Sequence, residues 1–142
     1  MIRMLGKDDI PKALDLAWQV FMEFEAPDYS KEGIRAFRSF LDCETAIKAL
    51  TFYGCYVDDE LAGMLAMRGD SHICMLFVTG SFHKRGIGRA LFDHALENSS
   101  AAEITVHSSP YAEGFYGRLG FAKTDVEQVR DGIRFIPMSL RR

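Results

Sequence analysis

The stretch Phe77-Val-Thr-Gly-Ser-Phe-His-Lys-Arg-Gly-Ile-Gly-Arg-Ala-Leu91 sets a glycine-rich, basic turn between a hydrophobic strand and an amphipathic helix. Gly86 and Gly88 let the backbone approach a ligand without interference from a Cβ, and the first N–H groups of the following helix have no partner within it. Lys84, Arg85 and Arg89 add positive charge around the same helix N-terminus, where the peptide dipoles already favour an anion. The turn lacks the Gly-Lys-Ser/Thr ending that holds a metal-bound nucleoside triphosphate. It predicts a diphosphate bound without a metal, on a strand–turn–helix frame.

Bulk properties bound the remaining choices. A chain of 142 residues has the length of one domain, residues 1–142, with enough apolar content at 48% to bury a core. No apolar run approaches the roughly 20 residues that cross a bilayer, and the charges of Met1-Ile-Arg-Met-Leu-Gly-Lys-Asp-Asp9 do not suit a signal peptide, so the expectation is a cytoplasmic protein without a membrane partner. Cys43, Cys55 and Cys74 are odd in number and match no metal-cluster spacing, which predicts reduced, mostly buried thiols and no metal site. A net charge of −3 argues against a nucleic-acid role, so the basic cluster at 84–89 is local and suits a small anion. Monomer and homodimer are both compatible with these properties.

Periodicity supplies the element order. Residues 2–5 read as a strand, and Asp8 or Asp9 with Pro11 starts a helix whose Ile10, Leu14, Ala17, Trp18, Phe21 and Phe24 share one face to about residue 24. A loop at 25–30 leads to Ser30, a cap for a helical region running to about residue 50 with a break near Asp42. Strands at 52–57, 61–67 and 71–78 form an antiparallel meander through turns at 58–60 and 69–70. A helix over 86–97, a strand over 103–107, a helix from Pro110 to Gly120, a short strand from Phe121 and a last strand over 134–140 complete a mixed α/β or α+β sandwich.

Taken together, Ile73-Cys-Met-Leu-Phe-Val78, His83-Lys-Arg-Gly-Ile-Gly88 and Ser109-Pro-Tyr-Ala-Glu-Gly-Phe-Tyr-Gly-Arg-Leu-Gly-Phe121 resemble the GNAT acetyltransferase superfamily. The resemblance rests on two motifs separated by one helix and one strand, the second reading Ala-x-x-x-Tyr-x-x-x-Gly-Phe from Ala112 to Phe121. It implies a mainly antiparallel central sheet, splayed between its fourth and fifth strands and flanked by helices on both faces. It also implies acetyl-CoA as cosubstrate, with pantetheine completing the unpaired backbone groups of Phe77 and Val78 like an added strand. The pyrophosphate would rest on the run His83, Lys84, Arg85, Gly86, Ile87, Gly88, Arg89 and Ala90, with Ser109 bonding pantetheine or capping the next helix. His83 stands where the family usually has Arg or Gln, which predicts altered cofactor affinity.

The implied reaction is acetyl transfer to an unidentified primary amine by direct attack in a ternary complex. Such transfer needs a neutral nucleophile, a stabilised oxyanion and a proton for the departing thiolate. An alkylamine of pKa about 10 is mostly protonated at neutral pH, so a base or a water chain must accept its proton. Resemblance assigns Tyr116 as general acid, and His72, at the start of the central strand, as the base. His107 and the acidic residues Glu23, Glu25 and Asp28 of the segment bordering the acceptor are the other base candidates. A mid-strand Cys74 reads as a small buried hydrophobe and not as a covalent nucleophile. Trp18, Phe21, Phe24, Tyr29 and Phe37 offer apolar surface to an acceptor pocket or to the core. The competing readings are a catalytically weak CoA-binding or protein-interaction module and a nucleotide-binding regulator.

Overall fold

A computed structural model describes all 142 residues. Its strands are β1 (Ile2–Met4), β2 (Leu50–Val57), β3 (Glu60–Arg68), β4 (His72–Val78), β5 (Glu103–Ser108), β6 (Ala122–Lys123), β7 (Gln128–Arg130) and β8 (Ile133–Arg141). The helices are α1 (Ile10–Val20), α2 (Lys31–Asp42), α3 (Glu44–Lys48), α4 (Ile87–Glu97) and α5 (Glu113–Leu119). The sheet runs β1-β2-β3-β4-β5-β8-β6, with β7 paired to β8, and only the β4–β5 pair is parallel. No helix is long and apolar enough to cross a membrane.

Alternation along the strands divides the core into two layers. Leu65, Ile73, Leu91, Ile104 and Tyr116 pack on the face covered by α4 and α5, whereas Phe21, Phe52, Met64, Met75 and Phe77 pack on the face covered by α1 and α2. A β-bulge in β4 sets this division. Ala66 pairs with Met75 while Met67 pairs with Ile73, so Cys74 has no opposite residue in β3. The extra residue turns Ile73 toward the same layer as Leu76 and Val78 despite its odd spacing, and it bends the strand.

That bend accompanies the expected splay. β4 and β5 pair only at His72 with Thr105 and at Ile73 with Val106, while β5 stays paired to β8 from Glu103 to Ser108. Past Ile73, β4 presents backbone groups that the parallel ladder no longer uses.

Local sequence explains most boundaries. Ser30 caps α2 by accepting from the Gly33 N–H at 3.1 Å, and extended backbone at Cys43 separates α2 from α3. Several details differ from expectation. Asp9 occupies the N-cap of α1 without capping it, because its carboxylate accepts from the Tyr56 hydroxyl at 3.0 Å and pairs with Arg3 at 3.5 Å. α1 ends at Val20 and widens into a single π turn, Phe21–Glu25, followed by a 3₁₀ turn, Ala26–Asp28. α5 begins at Glu113, not at Pro110, because residues 109–112 form a turn in which the Ser109 hydroxyl accepts from the Ala112 N–H at 3.2 Å. The β7–β8 hairpin was absent from the expected order, although Asp131 (φ 54°) and Gly132 (φ 79°) supply the Asp-Gly signature of a two-residue turn.

Candidate active site

The splay opens into a cleft of about 360 Å³ reaching from Glu25, Ser109 and Tyr116 to His72, His107 and Arg130. Its floor is β4, and α2 and the β7–β8 hairpin form its walls.

At the first end, the π turn carries Glu25 from α1 into the cleft, where the carboxylate is partly buried. Burial lifts its pKa to about 7, an effect that the neighbouring Ser109 hydroxyl partly offsets. Tyr116, on α5, also lines the cleft, and its ring packs edge-on against Phe115 and Phe121 at 5.3 and 5.4 Å. Burial, and then the charge of Glu25, push the Tyr116 phenol far above its ordinary pKa. Tyr29 is raised for the same two leading reasons, and its hydroxyl donates to the Arg134 carbonyl at 2.9 Å. Both phenols therefore stay protonated while feeling one carboxylate.

At the other end, His72 Nδ1 lies 2.8 Å from the Thr105 hydroxyl, and the His72 ring stands edge-on to His107 at 5.0 Å. Burial, then Arg68 and His107, lower the His72 pKa to about 4. His107 stacks on Phe135 at 4.6 Å and is lowered by burial, Arg130 and Arg68. Cys74 lines the same wall, but burial raises its pKa and so disfavours the thiolate that a covalent route would need.

The basic turn lies past the open end of β4. Gly86 takes the left-handed conformation (φ 77°) and starts α4, and Lys84 does so at φ 64°. Backbone N–H groups of Lys84 through Arg89 find no backbone acceptor, whereas those of His83 and Ala90 are engaged by Gly80 and Gly86 at 3.1 and 3.0 Å. The free run is thus Lys84, Arg85, Gly86, Ile87, Gly88 and Arg89, narrower at both ends than the sequence suggested. Arg85 lies over the Phe82 ring at 5.2 Å, and Arg89 donates to the Arg118 carbonyl at 3.2 Å. The Ile87 side chain is core. Gly88 has a packing role besides any approach to ligand, since a Cβ there would meet the Phe115 ring at 2.9 Å.

His83 turns away from this run. Its Nε2 donates to the Val78 carbonyl at 2.7 Å, and its ring packs on Phe24 at 4.8 Å. Of the two backbone positions expected to meet pantetheine, Val78 therefore has an intrachain partner for its C=O. Phe77 lines the cleft.

The structure brings Tyr116, Ser109, Phe77 and Glu25 together at the splay and sets His72 at the opposite end of the cleft. Sequence reading missed Arg130 and Asp131, which reach the cleft only through the unforeseen hairpin. Among the acidic candidates of the 23–28 segment, only Glu25 lines the cleft.

Residues 25–142 match a family model described as an acetyltransferase (GNAT) domain. The peptidyl-lysine N-acetyltransferase YjaB of Escherichia coli is 30% identical over 112 residues, covering 77% of this chain and 71% of that protein. An uncharacterized N-acetyltransferase of Methanocaldococcus jannaschii is 29% identical over 141 residues, covering 88% of this chain but only 62% of the archaeal protein. Among solved structures, a GCN5-related N-acetyltransferase from Rhodopseudomonas palustris superposes with a TM-score of 0.87 at 21% identity, covering 100% of this chain and 95% of that one. The PaiA N-acetyltransferase of Thermoplasma acidophilum, in complex with coenzyme A, gives a TM-score of 0.79 at 20% identity, covering 100% and 98%.

Proposed function

The chain belongs to the GNAT acetyltransferase family, and from that membership we propose that it transfers an acetyl group from acetyl-CoA to a primary amine by direct attack. The observation that carries this reading is the meeting of a high-pKa carboxylate, Glu25, with a protonated phenol, Tyr116, where β4 and β5 part. Glu25 suits proton acceptance, and Tyr116 enters the reaction still carrying its proton.

In this reading, the free amides of Lys84 to Arg89 hold the pyrophosphate, and the unpaired edge of β4 beyond Ile73 receives the pantetheine amides. The thioester then lies beside Phe77, within reach of both Glu25 and Tyr116. Glu25 takes the proton of the amine. With a pKa of about 7 it is largely ionised just above neutrality, yet holds a proton far more tightly than an exposed glutamate. His72, lowered to about 4, is the weaker base of the two. A β4 backbone N–H near Phe77 stabilises the developing oxyanion. Tyr116 delivers its proton to the thiolate as the C–S bond breaks, and the proton that Glu25 took from the amine restores the phenol, whose affinity for it is the higher of the two.

Two measurements test the scheme. Acetyl-CoA should raise the Tm of the wild type, and Gly86→Val should remove that shift, since a β-branched residue is strained at φ 77°. An equal shift in both proteins would move the phosphate site elsewhere. Tyr116→Phe should keep acetyl-CoA binding within a few-fold while lowering kcat for amine acetylation by roughly ten- to a thousandfold, the span for one proton-transfer group. An undiminished kcat would leave Tyr116 as packing.

A further inference from the structure

The cleft is chemically polarised along its length. Between Glu25 and His107 its lining is aromatic, with Phe37 beside Phe77 at 5.9 Å, Phe40, and Phe135 stacked on His107 at 4.6 Å. Its far end holds His72 and His107, and the Arg130 guanidinium lies over the Phe135 ring at 5.6 Å. Arg68 stands opposite His72 in the sheet register.

Arg130 is in no ion pair, and neither is Arg68, which is exposed on β3 and does not itself line the cleft. Arg134, also in the cleft, is engaged by Glu127 at 2.9 Å and by the Asp28 carbonyl at 3.1 Å. Asp131 is the one carboxylate lining this end. It forms no ion pair with Arg130 or with any other cation. An apolar slot with a base at one end and spare guanidinium charge at the other suits a ligand of opposite polarity.

Resting on the amine-acetylation reading above, we propose that the acceptor is an amine with an apolar body ending in a carboxylate, the carboxylate seated among Arg130, His72 and His107 while the amine meets Glu25. A second ammonium in place of the carboxylate would face the Arg130 guanidinium, so the same geometry selects against diamines.

The test compares three acceptors of one shape: para-(aminomethyl)benzoate, benzylamine and para-xylylenediamine. The carboxylate-bearing amine should exceed benzylamine in kcat/KM by roughly tenfold or more, the span of a charge-assisted contact, with the diamine lowest. Arg130→Ala should bring the carboxylate-bearing and neutral amines together, and Arg130→Lys should keep part of the difference, with circular dichroism and Tm checking the fold of each variant. Equal kcat/KM for the first two acceptors, or a preference for the diamine, would overturn the proposal while leaving amine acetylation intact. If no amine is acetylated, the reading of the reaction fails separately. Binding then decides the anion site. Saturable binding of para-methylbenzoate, weakened by Arg130→Ala, supports it, and no binding to the acetyl-CoA-loaded protein overturns it.

Discussion

Glu25→Gln is expected to lower kcat/KM for amine acetylation by roughly a hundred- to ten-thousandfold, the contribution of a positioned general base. Glutamine keeps the shape of the side chain and loses only its proton affinity. In the wild type, kcat/KM should rise with pH as Glu25 ionises near 7, and the variant should lose that limb. His72→Ala should retain it, because an imidazole lowered to about 4 is already neutral throughout the window. A limb that survives Glu25→Gln but disappears in His72→Ala would exchange their roles.

The same substitution has a stability signature of opposite sign. A glutamate raised from 4.5 to about 7 by folding binds more protons in the native than in the unfolded state between those values, so its ionisation destabilises the fold as pH rises through the window. Above pH 8 the neutral Gln variant should be the more stable protein, by an amount on the order of 3 kcal/mol if the full shift is realised. Denaturant unfolding at pH 5 and pH 8.5 would read this directly. Loss of activity together with gained stability at the higher pH would mark Glu25 as a group held ionised at a cost to the fold. Equal stability of the two proteins at pH 8.5 would mean that the carboxylate is better solvated than its position implies.

The second large effect is structural. Gly33, in the first turn of α2, lies against Gly132 of the β7–β8 turn so closely that a Cβ on either would run into backbone of the other. Gly33→Ala should therefore destabilise the protein by about 2 to 3 kcal/mol, because the atoms it strikes belong to the main chain and cannot rotate aside. For a chain of this size that corresponds to a Tm lower by roughly 5 to 10 °C. The contact joins two walls of the cleft, so KM for the acceptor should rise in the variant while the acetyl-CoA shift persists. An unchanged Tm would show that α2 and the hairpin separate easily.

The elements of the proposed cofactor half were legible from residue order because they are contiguous. A strand, a turn that needs the left-handed backbone of Gly86, and the free first amides of α4 follow one another along the chain. Each is set by local preference. Ser109 and Tyr116 were legible from the second motif and its resemblance, not from spacing alone. The acceptor half was far less so. Glu25, Glu23 and Asp28 look alike in sequence, and the π turn after α1 selects the one that enters the cleft. Likewise, the bulge at Cys74 decides which β4 side chains face which layer, and no alternation pattern announces it.

By itself, then, the order of residues determined the presence and order of the helices, the meander and the glycine-rich turn before α4, since these follow from periodicity, capping and glycine conformation over a few neighbours. Tertiary structure decided the chemistry of the cleft. The high pKa of Glu25 comes from burial beneath elements distant in sequence, and the weak basicity of His72 comes from burial together with Arg68 and His107. Likewise, Arg130 joins the cleft because a short hairpin folds it over Phe135. Proton affinity and charge complementarity depend on what surrounds a group in space, and only the packed fold supplies those surroundings.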